Sequence, residues 1–201
     1  MTLNNEVTYN VDLNQVIIST PGPQGPSGNA SGSVAYSGSA GLVTSASGIP
    51  TRWYGSFYDT TSQTAGSTAS AYAMNFNTTD TSNGVSIVSG SQVLFNNKGI
   101  YNIQFSAQIQ RSNSGTDTVE IWPGINGSYI PWSNTILSIA GGANANPAVA
   151  AWNFIISVSA GQYLSLYWRT SDTHVSIATS ASSTAPNRPA IPSVILTAVQ
   201  V

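Results

Sequence analysis

Histidine occurs once in this chain of 201 residues, as His174, two positions after Asp172. An imidazole beside a carboxylate is the pair that activates a serine hydroxyl for acyl transfer, the carboxylate orienting the ring and the ring taking the proton. Serine is so frequent here that closeness along the chain selects no nucleophile, and we read His174 as a solvated loop residue. Asp117 and Glu120 could form the carboxylate pair of a glycoside hydrolase, which needs two such groups at a set gap across the sugar. Spacing along the chain does not fix that gap, and we read them as charges at a strand edge. Asp59, Asp80, Asp117 and Asp172 are dispersed, with no Asp-x-Asp-x-Asp-Gly loop for calcium. Cysteine is absent, which excludes disulfides, thiolate metal sites and cysteine nucleophiles. The expectation is a chain with no catalytic residue, no metal ligand and no cofactor.

Aromatic residues offer a different chemistry, since a flat ring covers the C–H face of a sugar while Asn and Gln bind its hydroxyls. The tryptophans are Trp53, Trp122, Trp132, Trp152 and Trp168, accompanied by nine tyrosines. Trp152 and Trp168 stand in alternating apolar runs that read as core. Trp122 and Trp132 flank Pro123 to Pro131, where Asn126-Gly127 is a hairpin turn signal. Tyr129 and Trp132 are therefore the candidate glycan contacts; the alternative is that they pack across a subunit interface.

The surface that surrounds any such site is nearly free of charge. Asp, Glu, Lys and Arg make up 6% of the chain, against about 25% in an ordinary soluble domain. Ser, Thr, Asn and Gln must then carry the wet surface, while 41% hydrophobic residues suffice for a core. A net charge of -2 with five scattered basic residues (Arg52, Lys98, Arg111, Arg169, Arg188) leaves no electrostatic footprint for nucleic acid. No apolar run approaches the 18 or so residues of a membrane span, so no membrane insertion is expected.

Composition divides the chain into four parts. Residues 1–20 hold an alternating run with Val7, Tyr9, Val11 and Leu13 on one side and Thr8, Asn10, Asp12 and Asn14 on the other. One strand cannot bury that face alone, so it is expected to anchor on something outside its own domain, or else to fold back on the same protomer. In residues 21–30, Gly22, Gly25 and Gly28 fall at every third position with prolines after the first two. Only glycine fits the axis of three wound polyproline II strands, so the period points to a collagen-like neck and a trimer. Nine residues span on the order of 28 Å, which is short for a triple helix, and a stiff linker is the alternative. Residues 31–50 are a Ser/Gly/Ala-rich linker.

Residues 51–201 read as all-β. Tyr101, Ile103, Phe105, Ala107 and Ile109 alternate with Asn102, Gln104, Ser106, Gln108 and Gln110, one face core and one wet. Leu164, Leu166 and Trp168 repeat the pattern. The runs Trp152 to Val158 and Val194 to Val201 carry apolar residues at both parities, which predicts burial on both faces and places the last strand in the middle of a sandwich or at a subunit interface.

The segment Phe95 to Phe105, with Gly99-Ile100-Tyr101 leading into the alternating strand, resembles the complement C1q and tumour necrosis factor-like jelly roll. Ala160 to Leu166 is similar to that family's late glycine-centred turn and strand, and Pro192 to Thr197 to the closing strand of its viral and phage members. Gly55-Ser56-Phe57-Tyr58-Asp59 opens the domain as those phage members often do. The resemblance covers most of 51–201. It implies a ten-stranded jelly-roll sandwich, packed as a homotrimer around aromatic and aliphatic residues.

Met1 to Asn10 lacks a basic stretch followed by an apolar one, so ordinary secretion is not expected. Together with the missing cysteine and the short triplet run, this departs from the animal members and agrees with collagen-bearing phage fibres. The expectation is a non-enzymatic virion protein, made in the host cytoplasm, released by lysis and displayed on the particle surface. It would be a trimeric short fibre or head decoration, held to capsid or tail proteins by its N-terminus and adhering weakly and multivalently to a host surface glycan. A receptor-binding tail tip and a capsid-stabilising cement protein are the alternatives.

Overall fold

The computed structural model describes residues 10–12, 15–17, 52–142 and 147–201. The chain divides into two compact units, Met1–Pro50 and Thr51–Val201. In the first, β1 (Asn10–Asp12) pairs antiparallel with β2 (Gln15–Ile17), Val11 opposite Val16. Where it is described, the run expected as a single strand is one arm of a short hairpin. Val7, Tyr9 and Leu13 of the expected anchor, and Gly22, Gly25 and Gly28 of the triplets, lie outside the described residues.

The second unit is all-β among its described residues. Its strands are β3 (Tyr54–Asp59), β4 (Gln63–Thr64), β5 (Tyr72–Ala73), β6 (Thr78–Asn83), β7 (Val85–Val88), β8 (Gln92–Phe95), β9 (Gly99–Arg111) and β10 (Gly115–Ile125). They continue with β11 (Ser128–Tyr129), β12 (Thr135–Gly141), β13 (Ala148–Val158), β14 (Tyr163–Thr170), β15 (Val175–Ile177), β16 (Ser183–Thr184), β17 (Asn187–Arg188) and β18 (Val194–Gln200).

Two seven-stranded antiparallel sheets result, and β16 and β17 pair separately. The first sheet is built on β3, β18, β9 and β13 as successive neighbours, the second on β8, β14, β10 and β12. Along the chain the long strands cross from sheet to sheet: β3 in the first, β8 in the second, β9 in the first, β10 and β12 in the second, β13, β14 and β18 alternating. That winding is a jelly roll. There are more strands than the ten implied by resemblance, because short ones prolong the ladders past the ends of long ones. Thus β15 follows β18 along β9, and β11 follows β12 along β10.

Side-chain alternation places the core between the sheets. Tyr101, Ile103, Ala107 and Ile109 of β9 are fully buried and meet Leu164, Leu166 and Trp168 of β14 in one continuous cluster. Phe95 and Tyr101 tilt against each other with ring centroids 4.6 Å apart, and the buried Tyr101 hydroxyl donates to the Asn97 carbonyl at 3.0 Å. Truncating a side chain such as Trp168 to alanine would cost about 3–5 kcal/mol. The corner between β6 and β7 turns at Gly84, whose φ of +70° suits glycine and where a Cβ would strike the Trp53 ring at 2.6 Å.

Within the protomer, two expectations of burial on both faces are not met. β13 buries Ala150, Ile156 and Val158 on one face only, and leaves Val149 56% and Ile155 61% exposed on the other. It lies at a sheet edge, paired along β9, and among the described residues its outer face stays open. β18 lies centrally between β3 and β9 but likewise buries only Val194, Leu196 and Ala198, leaving Ile195 and Val199 partly open. A central position covers the strand's edges, not its outer face.

Candidate functional site

The β10–β11 hairpin turns where Asn-Gly predicts it. Asn126 and Gly127 have φ of +49° and +82°, and Ile125 sits opposite Ser128, the pattern of a two-residue turn with both central residues left-handed. Asn126 fastens this turn to β14 twice: its N–H donates to the Tyr163 carbonyl at 2.9 Å, and its Oδ1 accepts from the Tyr163 N–H at 3.0 Å. Beyond β11, the Ile130 N–H donates to the Pro123 carbonyl at 3.1 Å, and the Ser133 hydroxyl donates to the Ile130 carbonyl at 2.7 Å. The loop carrying Trp132 is thereby tied down at both ends.

Register then assembles an aromatic platform on the outer face of the second sheet. Trp122 is opposite Tyr167, and Gly124 is opposite Tyr129. Trp122 stacks on Tyr167 at 6.3 Å with 19° between the planes, while Tyr129 meets the two edge-on at 5.4 and 5.0 Å. Gly124 leaves the space this needs, since a Cβ there would lie 2.9 Å from the Tyr167 ring and 3.0 Å from the Ser128 carbonyl oxygen. Next along the same face, Glu120 is opposite Arg169, with Oε1 3.4 Å from Nε, and the Asn134 side-chain amide donates to Glu120 Oε2 at 2.6 Å.

Glu120, Trp122, Tyr129, Asn134 and Arg169 line a shallow cleft of about 300 Å³ together with Ile130 and Trp132. Trp132 is fully exposed, on a backbone with φ of +62°. Trp122 is buried, and its Nε1–H, sealed from solvent, has no acceptor among the described residues, at a cost of about 1–3 kcal/mol. The cleft therefore presents an apolar wall of rings and a polar wall of one carboxylate, one guanidinium and one amide.

Both predicted contacts, Tyr129 and Trp132, line this one cleft. Sequence reasoning missed Trp122, Glu120, Asn134 and Arg169 as members of it. Glu120 and Trp122 share a strand face by their spacing of two, which was a legible signal; the partnership of Glu120 with Arg169 depends on register.

The groups considered for catalysis are engaged differently. Asp117 and Glu120, three apart on β10, point to opposite faces of the strand and cannot flank one substrate. Asp117 accepts from the Ser171 hydroxyl at 2.9 Å and lies 2.7 Å from the Arg111 Nε. The Asp172 carboxylate accepts from the His174 N–H at 2.8 Å and sits 2.8 Å from the His174 Nδ1. The Asn113 side-chain amide also donates to it, at 3.3 Å. The backbone bond from His174, then the side-chain bonds from His174 and Asn113, hold the Asp172 carboxyl down at about 2. The neighbouring Ser112 hydroxyl donates to the His174 carbonyl, and that of Ser171 to Asp117, so both serve this corner rather than the imidazole. Arg111, 5% exposed at its side chain, ties the end of β9 to the start of β10 through Asp117 and to Asp172 at 3.6 Å.

The outer face of the first sheet is the other large surface feature. One row runs Tyr54, Val199, Asn102, Ile155, and another Tyr58, Ile195, Ser106, Ala151. No outward position of β3, β18, β9 or β13 carries a charge. An open groove of about 610 Å³, with Tyr58, Ile195 and Ile191 in its wall, continues this face.

Fold and cleft together define a jelly-roll sandwich with an aromatic cleft on one outer face and an uncharged, partly apolar surface on the other. No protein-family profile matches the chain, and no curated protein matches it in sequence. Among solved structures it is similar to that of Eiger TNF from S. frugiperda, with a TM-score of 0.42 and 8% identity, over 75% of this chain and 92% of that one.

Proposed function

We propose that this chain is a non-enzymatic structural protein of a phage particle, a homotrimeric short fibre or head decoration. Residues 1–20 attach it to other virion proteins, the triplets of 21–30 form its neck, and three jelly-roll heads adhere weakly and multivalently to a host surface. The observation that carries this reading is the outer face of the first sheet. Across four strands it presents Tyr54, Tyr58, Ile155, Ile195 and Val199 among amides and hydroxyls, with no charged side chain. Depletion of charge and enrichment in aromatic residues mark the core of a protein–protein interface. At the edge of the same sheet, the inward-facing Trp152 and Phe154 of β13 are only partly buried. A second copy closing over β13 would cover both rings. Glycine triplets favour three copies over two. Three heads on one stalk, repeated over a particle, turn weak contacts into durable attachment.

The aromatic cleft favours one variant of this reading, a receptor-binding tail tip. Two measurements test the whole. Light scattering on the purified chain is expected to give the mass of three chains, and a monomer would overturn the trimer. Gold-labelled antibody against 51–201 is expected over the head shell of phage particles; label confined to the tail would make the protein a tail tip, and unlabelled particles would overturn the virion role.

A further inference from the structure

The cleft beside the β10–β11 hairpin has the parts of a small-molecule site within a single protomer. Its shape is preorganised. The turn is doubly bonded to β14 through Asn126, the loop to Trp132 is tied through Ile130 and Ser133, and the Trp122, Tyr129 and Tyr167 rings brace one another. The positive φ of Trp132 is a conformation that bulky residues seldom adopt, and such strain collects at ligand clamps. What the strain achieves here is the display of a whole indole to solvent, against the tendency of tryptophan to bury itself.

The walls of the cleft indicate which ligand it suits. Trp122 adds its indole ring to the apolar wall, while its own Nε1–H lies buried and without an acceptor among the described residues. The polar wall is self-neutralised: Glu120 and Arg169 pair at 3.4 Å, and Asn134 adds an amide to the same carboxylate. A carboxylate has more lone pairs than these two donors use, and a guanidinium has five N–H donors. The wall therefore offers donors and acceptors together with little net charge. A hydroxyl needs both at once; a carboxylate or phosphate ligand needs donors only.

We propose that this cleft binds a neutral pyranose of a surface glycan, with the C–H face of the sugar on Trp132 and its hydroxyls shared between Glu120, Asn134 and Arg169. This deepens the adhesive part of the reading above, and because the cleft is complete in one protomer it does not depend on the trimer. The sheet proposed to meet other copies is the opposite layer of the sandwich, so the cleft of each head stays open to the outside.

Saturation-transfer NMR on the purified full chain tests it, with the methyl glycosides of glucose, galactose, mannose and N-acetylglucosamine as probes. At least one is expected to bind saturably, with a dissociation constant on the order of 1 mM. Trp132→Ala is expected to weaken that binding by on the order of tenfold or more while leaving the thermal midpoint in place, and Trp132→Phe to retain part of it. No transfer from any of the four, or undiminished binding by Trp132→Ala, would overturn the assignment. Binding confined to the methyl glycoside of N-acetylneuraminic acid would overturn the neutral ligand. Light scattering on the same samples separates the two proposals: a trimer that binds no sugar removes the cleft's role alone, and a monomer that binds sugar removes the trimer alone.

Discussion

Trp122 and Tyr167 stack 6.3 Å apart, 19° from parallel, on neighbouring strands of the second sheet, and the backbone of Gly124 provides the room for the Tyr167 ring. The contact couples a strand register to the shape of a surface cleft. Shifting β10 by one residue against β14 would turn Trp122 inward and dissolve the platform.

Gly124→Ala should displace that ring. Its new Cβ would meet the Tyr167 ring and the Ser128 carbonyl oxygen at once, and only the ring can move. The expected cost is about 1–3 kcal/mol, read as a lowered thermal midpoint with an altered near-UV aromatic signal. An unchanged near-UV spectrum would mean that the platform does not need Gly124.

Arg111→Ala should destabilise the head by about 3 kcal/mol in urea unfolding. Removing one partner of a buried ion pair strands the other, and Asp117 keeps little solvent, with its side chain 13% exposed. The loss sits at the lower end of the usual range because Asp172 remains more open, at 27%.

Acid should act through Asp172. Its carboxyl titrates at about 2 in the fold against an ordinary 3.8, so as pH falls the unfolded chain takes up the proton first. The stabilisation is complete above about pH 4 and is lost as pH falls through about 2. Thermal midpoints of the parent chain should decline over that window, and those of Asp172→Asn should decline less. Parallel declines would remove Asp172 as the cause.

Val199→Glu should separate the proposed trimer without unfolding the head. Val199 is 37% exposed in the protomer, so a carboxylate there is tolerated in one copy but would be buried unpaired between copies. Light scattering should report a monomer while circular dichroism keeps its strand signal. A variant that stays trimeric would move the interface elsewhere.

Deleting residues 1–20 should leave the head folded, with an unchanged thermal midpoint, and abolish incorporation into particles. Normal incorporation would dismiss the anchor.

Much of the head was readable from the chain because a strand's period of two writes its buried face directly into the sequence. Tyr101, Ile103, Ala107 and Ile109 alternate with polar residues, and they are the buried face of β9. The Asn126-Gly127 turn was equally legible, since few residue pairs adopt two successive left-handed conformations cheaply. Apolar residues at both parities did not mean double burial within the protomer for β13 and β18: whether an outer face is covered depends on what lies above the sheet, which no local pattern records. Trp122 and Trp132 show the same limit. Flanking one hairpin, they looked alike in sequence, yet one is buried beneath Tyr129 and Tyr167 and the other is bare. Their difference comes from pairing across strands, Trp122 with Tyr167 and Glu120 with Arg169, between residues more than forty positions apart. The sequence by itself determined the strands, the turn and the core-facing side chains, because those follow from nearest neighbours and period. Tertiary structure alone decided which rings met, which indole N–H lost its acceptor and which charges neutralised each other, because those follow from register between distant strands.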